Sequence, residues 1–384
     1  MRKGALFALG LVVASIAILG LIVLSSAGGV NAARIHHDEY FFIKRQAIYC
    51  AMGIFVAVAA ALFDYRKWRQ MPALTMFFYL TILALLVAVL FTRPINGSRR
   101  WINLAFFNLQ PGELAKLAAV ICVAVYADKI AWRVELFKRG ALSMAVIWGV
   151  LAALVMKEPD FGSAMVVACA GMLVMFLAGV RYSHLGMFGL VGFVGFCYYV
   201  SQNANRMARI AAFVAAVFPA MANVGGETAD EPLDPAAQRA DYQSRQSLVA
   251  IKNGGASGVG LQQSMQKQMY LPEAHTDFIF AIGAEELGIG FSLAVLFLFT
   301  AFFFISTYIA MHAPDRLGKY LAAGMAFIVF FQAMFNLGVV SRVLPTKGMA
   351  LPFFSYGGTN MISAFFAVGT IFSVGIRAVK EGRR

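Results

Sequence analysis

Residues 5–27 read ALFALGLVVASIAILGLIVLSSA, a run without a single ionisable side chain. An α-helix needs roughly 20 such residues to cross the hydrocarbon core of a bilayer. The run is too long for the apolar region of a secretion signal, roughly 7–15 residues, so it is expected to be a retained first span. Comparable runs follow at about 47–63, 72–92, 113–128, 141–156, 164–180, 185–201, 285–311, 319–340 and 358–377. They predict an all-α polytopic membrane protein of about ten transmembrane helices, forming one domain over residues 1–384.

Composition agrees with that reading. Sixty per cent of the 384 residues are apolar or aromatic (60%) and 13% are charged, whereas a soluble domain carries about 25% charge. This excludes a disordered chain and an ordinary soluble enzyme. The net charge of +13 would suggest nucleic acid in a soluble protein; beside membrane spans it reflects cytoplasmic flanking cations and anionic lipid, and no nucleic-acid partner is expected. Cys50, Cys122, Cys169 and Cys197 each lie in an apolar run and form no CxxC pair, so they are expected to be small buried hydrophobes, with no disulfide framework or metal knuckle.

The short connections on one side carry Arg66-Lys67-Arg69, Lys129, Arg133, Lys138 and Arg139, and the tail carries Arg377, Lys380, Arg383 and Arg384. This bias places both termini in the cytoplasm. A long extracytoplasmic loop, about 202–277, then joins helices 7 and 8. Within it, Phe213, Val214, Val217, Phe218 and Met221 recur at helical spacing after Ile210, as in an interfacial helix. The acidic, Pro- and Gly-containing segment 225–241 is expected to be a mobile surface stretch.

Apolar spans say little about chemistry. Ionisable groups in or beside them say more, because a charge at the bilayer centre costs about 2–3 kcal/mol or more. Glu113 and Lys116 share one face at the start of span four. Glu113 fits an ordinary helix start behind Pro111; Lys116 sits deeper and needs either Glu113 or an anionic ligand. Arg99, Arg100 and Trp101 stand just before, as belt residues or as a cationic approach for phosphate. In the turn Lys157-Glu158-Pro159-Asp160, the two acids are expected to pair with those arginines. Asp277 lies where a polar loop turns apolar, a position suited to a general base and equally to a helix N-cap. His275 reads as a belt residue or a proton carrier. Glu285 and Glu286 would bind a cation or pair with Lys347 or Lys116. Residues 341–358, dense in Pro and Gly, predict an irregular re-entrant loop, tolerated at membrane depth only inside protein or along a cavity. No P-loop, HExxH or GxSxG motif is present.

Five of these stretches, NGSRRWI (96–102), QPGELAKL (110–117), KEPDFGSA (157–164), YLPEAHTDFIFAIGAEELG (270–288) and VLPTKGMALPFFSYGG (343–358), resemble in order and spacing the motifs of the SEDS proteins (shape, elongation, division and sporulation). The resemblance runs from first span to last. Residues 345–348 and 270–275 look more like the division branch than the elongation branch. Two departures stand out: Gly112 where the family usually has Ser or Ala, and Thr359-Asn360 where it usually has Ser-Ser. The family consists of ten-span bacterial glycosyltransferases that polymerise lipid II with a class B penicillin-binding protein.

The resemblance implies a peptidoglycan glycosyltransferase with Asp277 as the essential catalytic carboxylate and with Lys116, Arg99, Arg100 and Trp101 at the family's site positions; Glu113, Lys347 and His275 are expected beside them as further substrate-binding residues. It also implies a place in the bacterial cytoplasmic membrane at the division septum, among other division proteins. No cofactor is demanded by the sequence; a divalent cation, Mg2+ or Mn2+, could assist. The alternatives are a lipid II flippase, whose site would also use broken helices, an elongation-type polymerase and a non-catalytic scaffold.

Overall fold

The computed structural model describes residues 3–93, 98–104, 107–202, 235–268, 270–272, 274–345 and 347–382, with residues 207, 210, 213 and 214 described singly. The first half of the chain contributes α1 (Lys3–Ala27), α2 (Gly29–His36), α3 (Phe41–Leu62), α4 (Lys67–Gln70) and α5 (Pro72–Val89). A two-residue antiparallel ribbon follows, β1 (Ile102–Asn103) with β2 (Asn108–Leu109), Ile102 opposite Leu109. Then come α6 (Pro111–Ile130), α7 (Ser143–Lys157), α8 (Phe161–Ala178) and α9 (Tyr182–Ser201), and finally α10 (Pro235–Gly254), α11 (Ile279–Met311), α12 (Arg316–Val340) and α13 (Gly358–Glu381).

Among the described residues, nine helices are long and apolar enough to cross a membrane. α6 is equally long but carries Glu113, Lys116, Asp128 and Lys129. It tolerates them because it meets little lipid. It packs against α5, α7, α8, α12 and α13, and from Ala115 to Ala124 every side chain is buried. α6 is thus the axis of the bundle: Glu113 and Lys116 are enclosed by protein, Asp128 pairs with Arg69 at 2.9 Å, and Lys129 is exposed in the last turn. α9 is the opposite case, peripheral and mostly exposed; its Cys197 is exposed too, whereas Cys50 and Cys122 are buried.

All ten predicted spans have a matching helix. The largest shifts are at α3, which begins at Phe41, and α11, which begins at Ile279; the early turns of α11 extend the helix over Glu285 and Glu286, both 1% exposed and so enclosed by protein. The long loop is not irregular throughout. α10 packs on α11 and α12, and Ser247 Oγ donates to Val340 O at 2.9 Å. Residues 235–241, expected to be mobile, form the first turns of this helix, and Asp241 binds Arg342 at 2.6 Å. Residues 225–234, and most of the expected interfacial helix at 210–221, lie outside the described residues.

α11 is broken. Gly288 adopts φ 72°, ψ −164°, a left-handed φ that favours glycine. Residues 255–260 enter the break: Val259 N donates to Glu285 O, Gly260 N to Glu286 O and Ile289 N to Gly255 O, each at 3.0 Å. At Gly254 and Gly258 a Cβ would collide with the backbone of residues 284–288, so glycine is what allows chain and broken helix to touch.

The 341–358 connection is re-entrant as expected. Leu351, Phe353, Phe354 and Ser355 are fully buried, and a Cβ at Gly20 of α1 would meet Phe353 O at 2.5 Å. Its polar groups are satisfied inside protein. Ser355 Oγ donates to Thr276 O at 2.6 Å, Leu351 N donates to Ser355 Oγ at 2.7 Å, and Gln46 Nε2 donates to Ser355 O at 3.0 Å.

Candidate active site

Three helix N-termini, those of α6, α8 and α13, open onto one cavity of about 540 Å3. Its wall is completed by Arg100 and Trp101 ahead of the ribbon, by Thr276 and Asp277 ahead of α11, and by residues 348–350 of the re-entrant loop. Helix N-termini carry partial positive charge and unsatisfied N–H groups, so acids are stable there. Two of the three hold one of the protein's own acids. Glu113 lies in the first turn of α6; Asp160 caps α8, accepting from Ser163 N at 3.3 Å and Ser163 Oγ at 2.8 Å.

Asp277 does not cap α11. Phe278 is the capping residue and no side-chain cap bond forms. Its backbone is instead fixed by Asn336 of α12, whose Nδ2 donates to Asp277 O and to Met349 O, both at 2.7 Å. Gly348 lies against the Asp277 carboxylate so closely that any side chain there would collide with it. The carboxylate is held between broken helix and re-entrant loop, half-buried and facing the cavity.

Asp160 is a site residue that sequence reading took for structural. Gln110 Nε2 donates to it at 3.0 Å and Lys347 Nζ stands 3.9 Å away. Burial pushes its carboxyl up, but Lys347, Arg100 and the Ser163 hydroxyl outweigh that and hold it below the usual range. The expected side-chain pairing of the two acids with the arginines is replaced by a backbone clamp. Arg100 Nε donates to Glu158 O at 3.3 Å and its Nη2 donates to Pro159 O. Glu158 is buried, neither carboxylate oxygen has a described partner, and burial beside Asp160 pushes it up to about 9.

Of the other predicted site residues, Arg100, Trp101 and Glu113 line the cavity with Asp277. Lys116 stands behind Glu113, 1% exposed, its Nζ 2.6 Å from Glu113 Oε1, while Glu113 Oε2 accepts from Ser363 Oγ at 3.2 Å. Arg99 turns away, its Nη1 donating to Leu90 O at 2.8 Å. His275 stacks on Phe42 at 4.5 Å and does not line the cavity. Lys347 reaches the site through Asp160. Glu286 pairs with Lys267 at 3.0 Å, not with Lys347 or Lys116.

Sequence reading also missed Gln110, Ser163 and Asn360. Gln110 and Ser163 lie within the motifs 110–117 and 157–164 but read only as ordinary polar side chains; the signal for Asn360 was its departure from the Ser usual in the family. Among the described residues, no three His, Cys, Asp or Glu side chains gather as a metal-ligand set.

A profile of the cell cycle protein family FtsW/RodA/SpoVE matches residues 7–379. The chain is 35% identical over 367 residues to the probable peptidoglycan glycosyltransferase FtsW of Trichlorobacter lovleyi, covering 95% of this chain and 91% of that one. It is 34% identical to the stage V sporulation protein E of Bacillus subtilis, covering 93% of each. Among solved structures, a chain from a peptidoglycan synthase complex that coordinates polymerization and crosslinking superposes with TM-score 0.73 at 25% identity, over 97% of this chain and 98% of that one. The rod shape determining protein RodA of Thermus thermophilus shares the fold, with TM-score 0.67 at 24% identity, over 98% of this chain and 96% of that one.

Proposed function

The chain belongs to the FtsW/RodA/SpoVE (SEDS) family of multi-pass membrane proteins, and we propose that it is a peptidoglycan glycosyltransferase of the FtsW type, with Asp277 as the catalytic base. The observation that carries the proposal is the polar cavity in an otherwise apolar bundle, lined by the half-buried Asp277, whose backbone is fixed by Asn336 and whose carboxylate lies against Gly348.

In the reaction, Asp277 takes the proton from the acceptor sugar hydroxyl as that oxygen attacks the donor anomeric carbon. The bond from that carbon to the pyrophosphate oxygen breaks, and undecaprenyl pyrophosphate leaves with the electron pair. A positioned base contributes roughly 10^2–10^4-fold. Arg100 shapes the cavity by clamping the 158–159 turn, and its charge faces the site. Lys116 acts through Glu113, 2.6 Å away, and Lys347 through Asp160, 3.9 Å away: each lysine lowers the net negative charge that the departing pyrophosphate meets. A divalent cation, if used, would take its oxygen ligands mostly from the substrate phosphates.

The same reading proposes that lipid II is the substrate, that a class B penicillin-binding protein is the partner, that both termini face the cytoplasm, and that the protein works at the septum. The 25% identity to a chain of a peptidoglycan synthase complex supports the partner. The basic clusters on one side support the orientation. The test is incubation of the purified protein with lipid II in detergent, where flipping has no meaning. Glycan polymer formed by the native chain and not by Asp277→Asn is the expected result; polymer from both would remove Asp277 from the reaction, and none from either would favour a transporter.

A further inference from the structure

Asp277 precedes the capping residue of α11, outside the repeating hydrogen bonds that hold a helical backbone. Its place is set from elsewhere in the chain. Three consecutive carbonyls accept bonds from distant segments: His275 O from Tyr356 N at 3.1 Å, Thr276 O from Ser355 Oγ at 2.6 Å and Asp277 O from Asn336 Nδ2 at 2.7 Å. Two of the three donors are adjacent residues of the re-entrant loop.

Those donors are themselves held. Ser355 is fully buried; its hydroxyl accepts from Leu351 N at 2.7 Å and its own N donates to Leu351 O at 3.0 Å, which closes a turn. α3 then clamps that turn. Gln46 Nε2 donates to Ser355 O at 3.0 Å and Gly357 N donates to Gln46 Oε1 at 3.3 Å, so one carboxamide grips the backbone on both sides of Tyr356. One helical turn earlier, Phe42 stacks on His275 at 4.5 Å and meets the Tyr356 ring edge-on at 4.8 Å. Gln46 is fully buried although most of α3 is not. Burying a carboxamide is unfavourable unless it is hydrogen-bonded, and here both of its ends are.

None of these bonds is made to the Asp277 carboxylate, so they do not set its charge. They set where it stands. A general base must lie about 2.6–3.2 Å from the proton it takes up, and a displacement of about 1 Å can slow a reaction roughly 10^2-fold. We propose that Ser355, gripped by Gln46 of α3, is the positioning residue for Asp277, so that α3 fixes the base through the re-entrant loop. This rests on the glycosyltransferase reading and deepens it.

The experiment measures kcat and KM for lipid II polymerisation, with thermal midpoints, in Ser355→Ala, Gln46→Met, their double variant and Ser247→Ala. Ser247 is the matched control: it is fully buried, its hydroxyl likewise donates to a backbone carbonyl, Val340 O at 2.9 Å, and it does not line the cavity. Ser355→Ala should lower kcat by roughly tenfold to hundredfold with KM within about twofold of native. Gln46→Met, similar in length and one step further from Asp277, should lower kcat by about tenfold with the same KM. The double variant should match Ser355→Ala to within about twofold, because both changes act through the loop's hold on residues 275 and 276. Ser247→Ala should keep kcat within about twofold of native, even if its midpoint falls as far as that of Ser355→Ala.

Native kcat in Ser355→Ala would overturn the proposal. So would a loss carried by KM, which would make the loop part of substrate binding, or losses that multiply in the double variant, which would give the two residues separate roles. An equal fall in kcat from Ser247→Ala would mean general loosening and overturn it too. If Ser355→Ala does not fold, the division between kcat and KM in Gln46→Met decides alone. Absence of polymer from the native chain would instead remove the underlying activity, and this proposal with it.

Discussion

Glu113 with Lys116, and Glu286 with Lys267, are one chemical device built twice: a buried ion pair 2.6 Å long in α6 and another 3.0 Å long between the broken α11 and the loop before it. Their surroundings differ. Glu286 Oε1 also accepts from Ser26 Oγ at 2.6 Å and lies 3.4 Å from Ser264 N, and Lys267 Nζ reaches Ser26 Oγ at 2.8 Å. The adjacent Glu285 accepts from the Ser264 hydroxyl, from Gln266 N at 3.3 Å and from Asn253 Nδ2 at 3.4 Å. These groups tie α1, the loop and α11 together, and neither Glu286 nor Lys267 lines the cavity. Glu113 does, with Ser363 on its other oxygen. A charge at membrane depth therefore identifies function only when an open volume adjoins it; without one, the same pair is a fastener.

The comparison breaks or sharpens as follows, from the largest effect down. Asp277→Asn should lower polymerisation by about 10^3-fold with the thermal midpoint unchanged; polymer yield from purified protein checks this, and a loss of fold instead would make Asp277 a fastener too. Lys267→Met should act mainly on stability, since it leaves Glu286 buried without its cation, and breaking such a pair costs about 3–5 kcal/mol. Thermal unfolding in detergent is the measurement, and a stable but inactive variant would move that cluster into the catalytic machinery. The double replacement Glu113→Gln with Lys116→Met should regain most of the stability lost by Lys116→Met alone, yet stay at least tenfold below native activity; full recovery would reduce α6's pair to a fastener as well.

Glu158 gives a pH test. Its folded value, about 9, lies above the ordinary 4.5, so between those limits the native state holds a proton that the unfolded chain has lost. Stability then falls as pH rises through that window. Glu158→Gln, which imitates the neutral acid, should raise the thermal midpoint by about 3 °C at pH 8 and by less at pH 5. An equal gain at both values would show that Glu158 does not hold its proton. The smallest effect is expected from replacing residues 225–234 with a Gly/Ser linker of similar length. Their composition offers little apolar area to bury, so polymerisation without a partner should stay within about twofold of native; a larger loss would tie that segment to the cavity.

Much of this was legible in the chain itself. Runs such as 5–27 dictate transmembrane helices because backbone polar groups in lipid must be satisfied internally, and five ordered motifs marked the site and Asp277. What those motifs could not give is direction. Arg99 and Arg100 are neighbours in sequence, yet one bonds Leu90 O, 9 residues back, and the other clamps the 158–159 turn, 58 residues on, since which way a side chain turns depends on where packing brings such groups. Hydropathy placed Glu285 and Glu286 among candidate ligands because it registers only that a charge is expensive. It carries no record of Lys267, Ser264 and Ser26 closing around them. Burial, and with it the difference between a fastener and a site, is settled only when distant segments pack.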